Sequence, residues 1–153
     1  MSRVTRVAIL QNPDNPTHPV ILQETEPAAR SLGLVLRIFE ARRVDDLNRA
    51  IAAAHEWAAD AVIALDDSAF IANRAELVDH AIRYRLPLIC GFREIAEAGG
   101  LLSYALSLAE SWYRLATYVD KILKGEKPGN LPVEQGSKFQ LIINLKSARA
   151  FPD

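Results

Sequence analysis

Only one cysteine, Cys90, occurs among the 153 residues, so no intrachain disulfide can form. It closes the apolar run Leu86-Pro87-Leu88-Ile89-Cys90, which reads as a buried strand in which a cysteine packs as a small apolar side chain. Apolar stretches approaching the ~20 residues needed to cross a bilayer are missing. So is the charged n-region followed by an apolar h-region that marks a secretion signal, and the expectation is a soluble chain, cytosolic unless a leader was removed. A surplus of one charge sign is lacking too. The 18 Lys and Arg against 19 Asp and Glu leave a net charge of −1 with no long run of either sign, unlike the concentrated basic face of a nucleic-acid binder. Neither GxGxxG nor GxxxxGK[ST] occurs, so no phosphate-cradling loop and no cofactor is read from motif. The three histidines, His18, His55 and His80, are scattered without metal-ligand spacing and read as surface or boundary residues. No internal repeat or low-complexity segment is present.

What is there is ordinary for a folded domain: 50% hydrophobic and 24% charged residues, in a chain long enough to bury roughly 70% of its unfolded surface. Short apolar runs alternate with amphipathic stretches, which predicts repeated βα units, a mainly parallel sheet and a single α/β domain. The strands expected are Val7–Leu10, Leu34–Phe39, Ala61–Leu65, Leu88–Cys90, an extended piece at Leu101–Tyr104 and a last strand at Phe139–Asn144. A helix capped by Thr17 and ended by Gly33 is expected to kink or divide at Pro27. Asp45 or Asp46 caps a second helix with a Leu47, Ala50, Ile51, Ala54, Trp57 stripe, and another follows around Leu77–Ile82. Gly99-Gly100 reads as a sharp turn with positive φ. A long helix then places Leu108, Trp112, Leu115, Ala116, Val119 and Ile122 on one face and stops at Gly125, with Trp57 and Trp112 as helix-packing residues.

Ligands of open parallel sheets bind at the carboxyl ends of the strands. Three loops fall there: Gln11-Asn12-Pro13-Asp14-Asn15, Asp66-Asp67-Ser68-Ala69-Phe70 and Gly91-Phe92-Arg93-Glu94. Their amides, carboxylates, hydroxyl and guanidinium can hydrogen-bond a small polar solute, with Phe70 or Phe92 against its apolar part. Asn12, Asn15 and Ser68 also suit turns and helix caps, and Arg93 and Glu94 suit an exposed ion pair. Asp66 and Asp67 invite a phospho-acceptor reading, but that chemistry also needs acidic groups after the first strand, where Gln11 and Asn12 stand. As an acid–base pair they lack a nearby His or Cys.

The string Gly91-Phe92-Arg93-Glu94-Ile95-Ala96-Glu97-Ala98-Gly99-Gly100-Leu101-Leu102-Ser103-Tyr104 resembles a stretch typical of ABC-transporter substrate-binding proteins of the tryptophan and tyrosine type. Four more segments fit the same family in order: Asn12-Pro13-Asp14-Asn15-Pro16, Tyr118–Gly125, Leu131-Pro132-Val133-Glu134-Gln135 and Lys138–Lys146. The sequence departs from the family's Pro-Asp-Pro-Leu-Phe after the third strand, keeping only Asp67 and Phe70, and has Ala105 where a glycine usually follows the Ser-Tyr pair. The resemblance implies a Rossmann-like or flavodoxin-like lobe of a type I periplasmic binding protein, the second of two lobes that close by hinge motion around a solute and deliver it to a membrane permease. Periplasmic localisation follows from it. So does a ligand face of Asn12, Asn15, Asp67, Ser68, Phe70, Arg93 and Tyr104, binding an amino acid or similar small organic solute without catalysis, cofactor or metal.

Two other readings stand beside this one. A separated lobe exposes the surface that faced its partner and can homodimerise through it as an interaction module. A small flavodoxin-like enzyme using Asp66 or Asp67 is the other.

Overall fold

The computed structural model describes residues 4–134, 136 and 138–151, without the side chains of Leu108 and Ala109; Gln135 of the resembling stretch and Leu108 of the expected stripe thus fall outside the account. Six strands form one sheet in the order β2-β1-β3-β4-β5-β6. They are β1 Arg6–Gln11, β2 Val35–Glu40, β3 Ala61–Ala64, β4 Leu88–Cys90, β5 Leu102–Leu106 and β6 Phe139–Ile143. The first five are mutually parallel, and β6 runs antiparallel to β5 with Tyr104 opposite Leu141. The alternation of βα units therefore folds into an α/β domain with helices on both faces of a mostly parallel sheet.

Side-chain alternation divides the core. Ala8, Leu10, Val62, Ala64, Leu88 and Cys90 face α2 (Val44–Glu56), α4 (Arg74–Arg83) and α5 (Arg93–Ala98), which bury Leu47, Ile51, Leu77, Val78 and Ile95 against them. Val7, Ile9 and Leu65 face the other way, where α1 (His18–Leu32) contributes Leu22. The two expected kinds of layer are present, but the second is much thinner.

Local chemistry explains where the elements begin and end, and where they depart from expectation. Helix α1 is continuous through Pro27, which is exposed, so the carbonyl that loses its helical partner there is open to water. Thr17 stands at its N-cap but caps nothing with its side chain. Asn15 Oδ1 instead accepts from Thr17 N–H at 3.0 Å and Thr17 Oγ1 at 2.7 Å. Helix α2 begins at Val44, before either expected cap, and the Asp46 carboxylate reaches back to the N–H groups of Arg42 and Arg43. Residues read as a loop after the third strand hold a short helix, α3 (Ser68–Ala72), capped by Asp67. Of the glycine pair, Gly99 has the positive φ (+131°), and a Cβ there would sit 2.8 Å from Val78 Cγ1.

Helix α6 (Leu108–Leu123) overturns one expectation. Among the described residues its apolar stripe joins neither core cluster: Trp112 is 68% exposed, and Leu115, Val119, Ile122 and Leu123 are exposed as well. The helix stands off the sheet, joined along its polar side to the segment that follows it. Among the described residues no helix is long and apolar enough to cross a membrane.

Candidate functional site

The loops after β1 and β3 meet at the carboxyl edge of the sheet because those strands are neighbours. There the structure brings Asn12, Asn15 and Asp67 into one network. Asp67 is buried and accepts from Asn12 Nδ2 at 3.2 Å, Asn15 Nδ2 at 2.9 Å and Ala69 N–H at 2.8 Å. A buried carboxylate surrounded by three N–H donors is compensated where it stands, and these three side chains shape the loops. Ser68 is exposed at the first turn of α3. Phe70 is 2% exposed inside the main core, so its ring is taken by packing rather than presented at the edge.

His18 belongs to the same edge and was not legible as such. Instead of lying at the surface it is completely buried, with Nδ1 accepting from Asn12 N–H and Nε2 3.1 Å from the Asp66 carbonyl. Since Nδ1 accepts, the ring hydrogen sits on Nε2 and is donated to Asp66. The imidazole thus ties the β1 loop to the β3 loop. Its only sequence signal was the position just after a proline- and asparagine-rich turn. His55 is exposed and lies against Tyr84, with ring centroids 5.5 Å apart. His80 lies on α4 with a buried Nδ1 that has no hydrogen-bond partner among the described residues.

One turn further along the sheet edge is an open cleft of about 530 Å³ lined by Asp66, Phe92, Arg93, Glu94, Tyr104 and Phe139 among others. Asp66 forms its floor beside Gly91, whose N–H donates to Asp66 Oδ1 at 3.0 Å. A Cβ at position 91 would fall 2.2 Å from both carboxylate oxygens, so only glycine lets the carboxylate lie there. The residue as a whole is exposed, yet its carboxyl end is crowded against this backbone. That desolvation pushes its pKa up from the usual carboxylate range, the Gly91 hydrogen bond opposing it. Arg93 opens α5 on the rim, its guanidinium 2.7 Å from Glu97 and largely in water, which makes it an exchangeable partner for a ligand anion. Tyr104 is exposed and stacks on Phe139, centroids 5.4 Å apart and planes 17° from parallel, forming an aromatic wall where β5 meets β6.

The expected ligand face is therefore split. Arg93 and Tyr104 line the cleft, Asn12, Asn15 and Asp67 build the loop network beside it, and Ser68 and Phe70 lie within α3. Asp66, Glu94 and Phe139 join the lining. Phe139 came together with Tyr104, 35 positions earlier, through the antiparallel pairing of β5 with β6, which no local pattern announces. The groups converging on the cleft are acids, a guanidinium and aromatic faces, able to hold a small zwitterion. Among the described residues, no group of three or more His, Cys, Asp and Glu side chains converges as metal ligands.

Solved structures share this fold. A conserved domain protein from Vibrio cholerae O1 biovar El Tor superposes with a TM-score of 0.86 at 23% identity, over 96% of this chain and 49% of its own. An ABC domain in complex with L-Trp from Streptococcus pneumonia gives 0.85 at 20% identity, over 95% and 49%. A ligand-free, open substrate-binding protein with adhesive properties from Clostridium difficile gives 0.72 at 17% identity, again over 95% and 49%. The chain thus spans about half the length of the solved structures it matches. No curated protein matches its sequence. The family model described as ABC transporter substrate binding protein matches residues 1–151, nearly the whole chain, and the protein belongs to that family.

Proposed function

We propose that this chain is the second lobe of a two-lobed solute-binding protein, taking an amino acid or similar small organic solute at the Asp66–Arg93–Tyr104 cleft without catalysing a reaction on it. The observation that carries this reading is the cleft's composition. A guanidinium on one rim, carboxylates at floor and rim, and a stacked Tyr104–Phe139 wall complement the carboxylate, ammonium and side chain of an α-amino acid. The solved relative in complex with L-Trp supports an aromatic amino acid as the first to test. Released solute passes to an ABC permease, and the working site is periplasmic or otherwise outside the cytoplasm, both by extension from the family.

The cleft is open on one side, so this lobe supplies half of an enclosure. A panel of the common amino acids, each titrated in a thermal-shift assay and by calorimetry, tests the reading. A solute that binds only the folded state raises Tm with concentration, and Asp66→Asn and Arg93→Ala each weaken that response. Absence of any shift with this lobe, and again with a companion lobe covering the cleft, overturns it.

A further inference from the structure

The main-chain ladder between β1 and β3 ends where Leu65 N–H donates to Leu10 O at 3.0 Å. Past that bond, among the described residues, no main-chain group of one strand exit bonds directly to the other. The His18 imidazole stands at this end. Its Nδ1 accepts from Asn12 N–H at 3.1 Å and its Nε2 donates to the Asp66 carbonyl at 3.1 Å. A ring with no solvent exposure thus carries the main-chain link one step further. The other tie between the loops, from Asn12 and Asn15 to Asp67, is made by side chains alone.

Such a bridge works in one protonation state only. Neutral imidazole offers one acceptor and one donor, whereas imidazolium offers two donors. A hydrogen on Nδ1 would point at the Asn12 N–H, and two donors facing each other in a buried site leave both unsatisfied. The Nε2 bond to Asp66 is unaffected, so the break falls on the β1 side. The charged groups around the ring leave a cation there without a partner. His18 is the first residue of α1, where the free N–H groups of the helix end disfavour positive charge. From the β3 loop the Asp66 carboxyl attracts it, but desolvation drives that carboxyl itself toward its neutral form in acid. At the start of α3 the Asp67 carboxylate is held by Asn12, Asn15 and Ala69. In the β1 loop Asp14 pairs with Arg42, and past Gly91 Arg93 pairs with Glu97 and Glu94 is exposed on the cleft rim. Among the described residues none of these carboxylates hydrogen-bonds the ring.

We propose that His18 is a proton-operated latch on the carboxyl edge of the sheet. Neutral, it fastens the β1 loop to the β3 loop; charged, it lets go of Asn12 and frees the β1 loop. A buried group that must be neutral to keep its bonds holds the fastened state above its transition and loses it as pH falls through. Asp66 supplies both the carbonyl of the latch and the carboxyl at the cleft floor, so opening also unsettles the cleft. That consequence rests on the solute reading, whereas the latch itself does not.

NMR of the ring and amide nitrogens tests this on the full chain without solute, from about pH 7.5 down to about pH 5. At the upper end the His18 ring shows one bare and one hydrogen-bearing nitrogen, its signals assigned by their loss in His18→Asn. On acidification both nitrogens carry hydrogen, and in step the Asn12 amide loses exchange protection by roughly tenfold or more while Ile9 within β1 keeps its own. His18→Asn, whose Oδ1 can still accept from Asn12 but cannot charge, keeps Asn12 protection level across the same range. A ring that stays neutral until the whole chain unfolds overturns the proposal. So does a ring that charges while Asn12 stays protected, or an Asn12 amide that opens equally in His18→Asn. The titration of the unaltered chain decides even where that variant does not fold, His55 and His80 being assigned by their own substitutions to Gln.

Discussion

Asp67 accepts three hydrogen bonds in a buried position, so its substitution leaves donors on Asn12, Asn15 and Ala69 without a partner. Asp67→Ala is expected to cost about 1–3 kcal/mol in urea unfolding, the usual penalty for stranding buried polar groups. An unchanged midpoint would refute the network's structural role. Asp60 does comparable work on the surface, accepting from Thr5 N–H at 2.7 Å and Arg6 N–H at 2.8 Å and so anchoring the start of β1. These hydrogen bonds, the Arg6 N–H foremost, hold its carboxyl below the ordinary value of 3.8. A carboxyl depressed on folding contributes stability above its unfolded pKa, and that contribution is lost as pH falls through the folded value. The deficit of Asp60→Ala, about 1 kcal/mol at neutral pH, should therefore shrink below pH 3.8. Melts of both proteins across acid pH check the sign. Cys90 gives a third test: desolvation chiefly, with nearby carboxylates, pushes its thiol up to about 11. The native protein should resist iodoacetamide at pH 8, and rapid alkylation there would mean that β4 opens readily.

At the scale of elements, the strands and core helices were legible because each carries its own period: continuous apolar runs for β1 and β3, a 3.6-residue stripe for α2. Pro27 misled because a proline in a helix costs a hydrogen bond without forbidding the helix, and an exposed carbonyl finds water. The same reasoning makes Pro27→Ala stabilising, by about 1–3 kcal/mol, with Tm as the readout. No gain would mean that the proline's restriction of the unfolded chain offsets its cost. The α6 stripe was equally visible, but amphipathicity says only that a face wants cover, not what covers it. Of the site, the loops at the carboxyl ends were readable from strand order. The division of labour within them was not, since Asp66 and Asp67 are adjacent in sequence and only folding buries one and leaves the other in the cleft.

For the molecule as a whole, half an enclosure sets the expectation for affinity. Solute held only by the Asp66–Arg93–Tyr104 side keeps much of its surface in water, so binding should tighten at least tenfold, about 1.4 kcal/mol, when a lobe closes the open side. Calorimetry with and without that lobe measures the gain, and equal affinities would place the whole site on this chain. Among the described residues the sheet that carries the cleft ends on one side at β6, whose Phe139, Leu141 and Ile143 are exposed and whose outer edge has no neighbouring strand there. An apolar edge of this kind is a template for growth: a stray segment can add to it by main-chain pairing, and the next to that. Lys138, paired with Glu110 at 3.2 Å, stands at its entrance, where charged groups disfavour such stacking. Left uncovered, β6 makes this protein's solubility a matter of keeping company, and a thioflavin-positive deposit seeded from residues 139–143 is the form its failure would take.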